Sequence, residues 1–116
     1  MGLSTHVLDT MHGVPAAGMA VALYTVDGGT ATLVRRFTLN RDGRNPDGPL
    51  YDLSLRRGRY RLEFDVAAYF RARKVELPEP NFLNLVCLDF GVAHTDQHYH
   101  VPLLVSPWSY STYRGS

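Results

Sequence analysis

The sequence predicts an all-β fold, an antiparallel eight-stranded β-sandwich carrying one short helix. Three observations point there. Apolar residues recur with period two rather than 3.6, as in strands that bury one face. Clusters of Gly, Asp, Asn and Pro break these runs about every ten residues, the spacing of turns in a two-sheet stack. A single stretch, Val66 to Lys74, reads as helix.

Taken in order, "STHVLD" (Ser4 to Asp9) alternates and forms the first strand, closed by the turn-like "TMHGVPAAG". Met19 to Val26 is an apolar run that ends at Asp27-Gly28-Gly29, a hairpin signal, and Thr30 to Leu39 returns beside it. Asn40 to Pro49 is all turn chemistry, with two Asp-Gly pairs and two prolines. "LYDLSL" (Leu50 to Leu55) is a short fourth strand. In the fifth, Tyr60, Leu62, Phe64 and Val66 alternate with Arg59, Arg61, Glu63 and Asp65, the mark of a half-buried antiparallel strand. The helix follows and stops before Pro78 and Pro80. "LNLVCLDFGV", "QHYHVPLLVS" and "SYSTYR" complete the eight. Pro102 cannot donate to a ladder, so it is expected on an edge strand or at a bulge.

With 116 residues, the chain is expected to form one domain spanning residues 1–116. A net charge of +1 argues against a nucleic-acid partner. The basic runs "LRRGRYR" and "FRARK" read as solvated strand ends and a solvated helix face. Cys87 is the only cysteine, so no intramolecular disulfide is possible; within "NLVCLDF" it reads as a small buried hydrophobe. The N-terminus lacks the basic and apolar regions of a signal peptide, and no apolar run has the length of a membrane span. A cytoplasmic protein with no membrane partner is expected.

Few side chains could carry chemistry. His6 lies mid-strand, and Arg44 follows the Asp42-Gly43 turn at a loop tip. His94, His98 and His100 cluster in "HTDQHYH", with His98 and His100 on one face by the period-two rule. Ser111 and Tyr113 share a face of the last strand. Three histidines at this spacing could ligate zinc, but no carboxylate or thiolate stands at a convincing distance, so no metal and no cofactor is expected. No G-x-S-x-G elbow exists to hold a nucleophilic serine. What remains is a metal-free acid–base site of His, Arg and Tyr, which composition alone does not separate from chance. His12 and His94 read as solvated, as does His98.

Two stretches sharpen this. "HVLDTMHGVPAAGMAVALY" (His6 to Tyr24) resembles the N-terminal signature of the transthyretin-like family, and "YHVPLLVSPWSYSTYRGS" (Tyr99 to Ser116) resembles its C-terminal one. "TLNRDGR" and "YRLEFDVAAYF" fall between them in the family's order, so the resemblance spans nearly the whole chain. The family has a hormone-carrier branch and a branch that hydrolyses 5-hydroxyisourate in urate breakdown. His6, Arg44, His100 and the ending Tyr113-Arg114-Gly115-Ser116 match the hydrolase pattern; the carriers place Lys, Glu and Thr at the first three positions. The alternative is a carrier of small aromatic ligands without turnover.

The resemblance implies hydrolysis of the amide bond between N1 and C6, giving 2-oxo-4-hydroxy-4-carboxy-5-ureidoimidazoline. It implies His6, Arg44 and His100 as catalytic, with Tyr113, Ser116 and Ser111 joining His6 and Arg44 in binding a small-molecule substrate. It also implies a homotetramer, a dimer of dimers with C-terminal residues at the dimer–dimer interface.

Overall fold

A computed structural model describes residues 2–48, 50 and 55–115. In chain order the elements are β1 (Gly2–Asp9), β2 (Val14–Pro15), β3 (Ala20–Asp27), β4 (Thr30–Thr38), β5 (Gly58–Asp65), α1 (Val66–Ala72), β6 (Leu85–Val92), β7 (His98–Val105) and β8 (Tyr110–Thr112). They form two four-stranded sheets, ordered β2-β1-β7-β8 and β4-β3-β5-β6. The expected sandwich and its helix are present.

The second sheet is an antiparallel arrangement of neighbours in sequence. Gly28 and Gly29 both adopt positive φ, 54° and 85°, as the tight turn between β3 and β4 demands. β5 returns along β3 in the register Leu23↔Leu62, and β6 returns along β5 in the register Leu62↔Leu88. Leu62, Phe64, Val86 and Val92 therefore point inward and are buried.

The first sheet departs from the purely antiparallel expectation. β1 and β7 run parallel, with Leu3 opposite Tyr99 and Val7 opposite Leu103. Period-two alternation fixes which face a residue occupies, but not the direction of the neighbouring strand. Leu3 and Val7 on β1 and Val101, Leu103 and Val105 on β7 close the core from this side. Two further differences concern the strand count. Val14–Pro15, within the expected turn, pairs with Leu8 and Asp9 as a short edge strand. Of the expected strand "LYDLSL", Tyr51 to Ser54 lie outside the described residues.

The helix begins where Asp65, its N-cap, accepts a hydrogen bond from the Ala68 amide at 3.4 Å. It packs Val66, Tyr69 and Phe70 into the core. Tyr69 meets a polar group there: Asp9 is wholly buried at the end of β1 and accepts from the Tyr69 hydroxyl at 2.7 Å. Asp9 also accepts from the His12 backbone amide at 3.0 Å, and its other contact is the His12 Nδ1 at 2.6 Å. His12 is thus held against Asp9 and lies over Phe70, not the freely solvated residue expected.

Burial pushes the Asp9 carboxyl up, but the bonds from Tyr69 and His12 outweigh it and hold the group below the usual carboxylate range. Burial and Asp9 together push the Tyr69 phenol up to about 12. A depressed folded pKa gives stability that is present above the unfolded value and lost as pH falls through the folded one. Asp9→Ala strands a buried hydroxyl and an imidazole together. It should destabilise the fold by about 3–5 kcal/mol in urea unfolding, and an unchanged midpoint would refute this role.

Among the described residues, no helix is long and apolar enough to cross a membrane.

Candidate active site

The parallel register of β1 and β7 decides what stands on the outer face of the first sheet. Leu3, Thr5 and Val7 turn inward, opposite Tyr99, Val101 and Leu103. Ser4 and His6 therefore face outward, beside His98 and His100. Ser4 sits directly opposite His100, and His6 opposite Pro102, so the two histidines are diagonal neighbours across the strand pair.

Arg44 reaches this face through a tight turn. The Asn40 side-chain oxygen accepts from the amides of Asp42 at 2.9 Å and Arg44 at 3.1 Å, which curls the loop. Gly43 has φ +72° and lies so close to β1 that an added Cβ would stand 2.6 Å from the Val7 carbonyl. Only glycine fits both constraints. The turn lies against β1, the Val7 amide bonding the Gly43 carbonyl at 3.0 Å and Arg44 forming a bridge with His6. Arg44 is thus placed beside His6 by the backbone, not left at a free loop tip.

The C-terminal segment covers the other flank. Gly115 and His100 exchange both backbone hydrogen bonds, at 2.7 and 3.2 Å. A Cβ at Gly115 would stand 3.1 Å from both Cβ and Cδ2 of His100, so the bare glycine backbone is the wall against the ring. Arg114 fastens this wall: its guanidinium lies 4.3 Å from the Tyr99 ring centroid and donates to the Gln97 side chain at 2.8 Å.

Between Gly115 and β8 the ladder is interrupted at Tyr113 and Arg114. Pro102 supplies the reason. It lies two residues along β7 from His100, so its nitrogen faces the same flank and has no hydrogen to offer Tyr113. It occupies an inner strand, contrary to the edge or bulge expected, and its carbonyl accepts from the Thr112 hydroxyl at 2.7 Å.

His6, Arg44 and His100 are brought together; the other expected binding residues are not. Tyr113 is 60% exposed and lines a cavity of about 480 Å³ with Phe90, Tyr99 and Tyr110. Ser111 stands opposite Leu104, four residues along β7 from His100, roughly 13 Å away at the rise of a strand. Ser116 lies outside the described residues.

The electrostatics favour neutral imidazoles. Burial, then the Arg44 charge, hold His6 below its ordinary value, against a weaker upward pull from Asp42. Burial, Arg44 and the neighbouring His6 and His98 hold His100 down in the same way. Each ring is therefore a proton acceptor at neutral pH, beside a fixed cation.

Sequence reasoning missed two polar members of this face. The Ser4 hydroxyl lies 2.8 Å from Nε2 of His98 and 2.8 Å from Nδ1 of His100, which makes His98 part of the cluster rather than a solvated residue. The signal was available in the shared face of His98 and His100, but their partner lies on a strand whose pairing no local pattern announces. Cys87 is exposed rather than buried; desolvation and the Glu63 carboxylate, 3.9 Å away, hold its thiol up and make it a poor nucleophile. Among the described residues no group of three or more His, Cys, Asp or Glu could hold a metal ion.

Comparison with known proteins places this geometry among relatives. The HIUase/Transthyretin family model matches residues 3–115. A 5-hydroxyisourate hydrolase of Pseudomonas aeruginosa is 52% identical over 98% of this chain and 90% of its own. A crystal structure of (S)-allantoin synthase superposes with a TM-score of 0.93 at 43% identity, covering 99% of this chain but only 43% of that larger one. Sea bream transthyretin, solved in complex with thyroxine, superposes with a TM-score of 0.86 at 25% identity, covering 99% of this chain and 95% of its own.

Proposed function

The chain belongs to the HIUase/transthyretin family, and on that premise we propose that it is a 5-hydroxyisourate hydrolase acting through His6, Arg44 and His100. The observation that carries the reading is the polar cluster itself, two neutral histidines beside an arginine on one sheet face. A slot for apolar hormone rings would not place these groups there. Identity points the same way, 52% to the Pseudomonas hydrolase against 25% to the thyroxine-binding transthyretin.

One histidine takes a proton from water while the other orients it. The hydroxide equivalent attacks the C6 carbonyl of the substrate ring, and negative charge builds on its oxygen. The Arg44 guanidinium offers forked donors to that oxygen and to others of the ring. The C6–N1 bond then breaks, and N1 leaves with the proton taken from water. A carboxylic acid and a ureido group result, and the acid releases the second proton of the water to solvent to become carboxylate.

The homotetramer belongs to the same proposal. Among the described residues β6 and β8 are edge strands, and the apolar side chains of Leu85, Trp108 and Tyr110 are exposed near them. Ser111 is remote from the cluster within one chain and Tyr113 lines a different cavity, which suits their completing the site of a neighbouring copy. A cytoplasmic location accords with the lone unpaired cysteine.

The direct test follows the ultraviolet absorbance of freshly generated 5-hydroxyisourate. Decay no faster than in buffer would refute the hydrolase. Because the base must be neutral and both imidazoles are held low, kcat/KM should rise with pH along a limb centred below the ordinary imidazole value. Arg44→Gln removes one downward influence and should move that limb up; a limb that stays in place would exclude Arg44 as its cause.

A further inference from the structure

We propose that Ser4 is a positioning residue of this reaction, fixing His100 in the tautomer whose Nδ1 carries the proton and whose Nε2 is the base. The proposal rests on the hydrolase reading and deepens it by assigning the base.

The argument is one of proton inventory. Ser4 stands between two imidazoles, 2.8 Å from Nε2 of His98 and 2.8 Å from Nδ1 of His100. A hydroxyl has one hydrogen to donate and lone pairs to accept with. When both rings are neutral and both bonds are made, one ring must present N–H to the oxygen and the other a lone pair. The two tautomers are therefore locked to each other through Ser4.

Two arrangements satisfy the count, and the surroundings choose between them. Arg44 bridges His6, the diagonal neighbour of His100, and its charge acts on the His100 ring. A fixed cation favours a lone pair on the ring's free nitrogen and disfavours an N–H dipole there. His100 then donates from Nδ1 to Ser4, and Ser4 donates to Nε2 of His98. No described residue bonds Nε2 of His100, which leaves that nitrogen to take a proton from water. Gly115 flanks the Cδ2 edge of the ring so closely that an added Cβ would stand 3.1 Å from it, and the backbone of His100 is held by two bonds to the same glycine.

This gives the histidines different work. His100 is the base, turned by Ser4, and His98 is the far end of a relay that touches no substrate. His6, opposite Pro102 and out of the relay, is left to orient the water.

The test reads tautomers directly. Long-range proton–nitrogen correlation on protein labelled with ¹⁵N-histidine distinguishes Nδ1–H from Nε2–H. Wild-type His100 should show Nδ1–H. Ser4→Ala should release the ring to a mixture and lower kcat by about tenfold to a hundredfold, on the order of the loss that a misplacement of about an ångström brings, with KM little changed. Ser4→Thr keeps the hydroxyl and should restore both signatures. Wild-type His100 protonated on Nε2, or Ser4→Ala with unaltered tautomer and kcat, would overturn the role given to Ser4, and the first of these needs no variant to fold. A wild-type chain inactive on 5-hydroxyisourate would instead sink the hydrolase reading whatever the spectra show, and with it the reaction Ser4 is said to serve.

Discussion

Arg44→Ala should lower kcat/KM for 5-hydroxyisourate by about a hundredfold to a thousandfold, the loss expected when one preorganised donor to a developing oxyanion is removed. The fold should survive. The bond at the base of the turn runs from Val7 to the carbonyl of Gly43, and the Asn40 side chain binds the amide of residue 44, which any non-proline residue supplies. The Arg44 residue itself is exposed, so truncating its side chain opens no cavity. Arg44→Lys keeps the charge without the planar fork and should recover only part of the rate. Unaltered turnover in Arg44→Ala, with an unaltered far-ultraviolet spectrum, would remove Arg44 from the mechanism.

The second large effect is expected from deleting residues 113–116. The segment contributes two backbone hydrogen bonds between Gly115 and His100 and the Arg114 contact on Tyr99. Neutral hydrogen bonds at a sheet edge are worth about 0.5–1.5 kcal/mol each, so unfolding in urea should record a loss of roughly 1–3 kcal/mol. Activity should suffer more. Without Gly115 against its ring, His100 gains freedom, and a displacement of about an ångström is enough to cost on the order of a hundredfold in rate. A truncated chain that lost stability but kept its kcat would show that the segment is only an edge.

Much of the fold was legible because it is local. The Asp27-Gly28-Gly29 turn, the alternation from Arg59 to Val66 and the helix ahead of Pro78 each announce themselves within a short window, and each stands where it was read. The pairing of β1 with β7 did not. Both strands alternate correctly, yet alternation carries no information about direction or partner across ninety-odd residues, and the parallel register came only with the structure. Pro102 was misplaced for a related reason. The rule that proline avoids inner strands assumes a continuous ladder, and here the ladder is interrupted opposite the proline instead.

The candidate site divides in the same way. His6, Arg44 and His100 are legible through their resemblance to a known pattern, and the structure gathers all three. Ser4 is not, because a serine in a strand has no signature until its neighbour across the sheet is known. The contact of His12 with Asp9 is not legible either; burial makes that carboxylate consequential, and burial is not written in a local pattern.

The strand pair that carries the cluster joins the two ends of the chain, Ser4 to His100 and His100 on to Gly115. The second sheet closes entirely within residues 20–92. The cluster, by contrast, exists only once β1 and β7 have paired across ninety-odd residues, a contact of high entropic cost. A fragment of residues 20–92 can complete one sheet, yet it brings no imidazole to Arg44, because His6 and His100 both lie outside it.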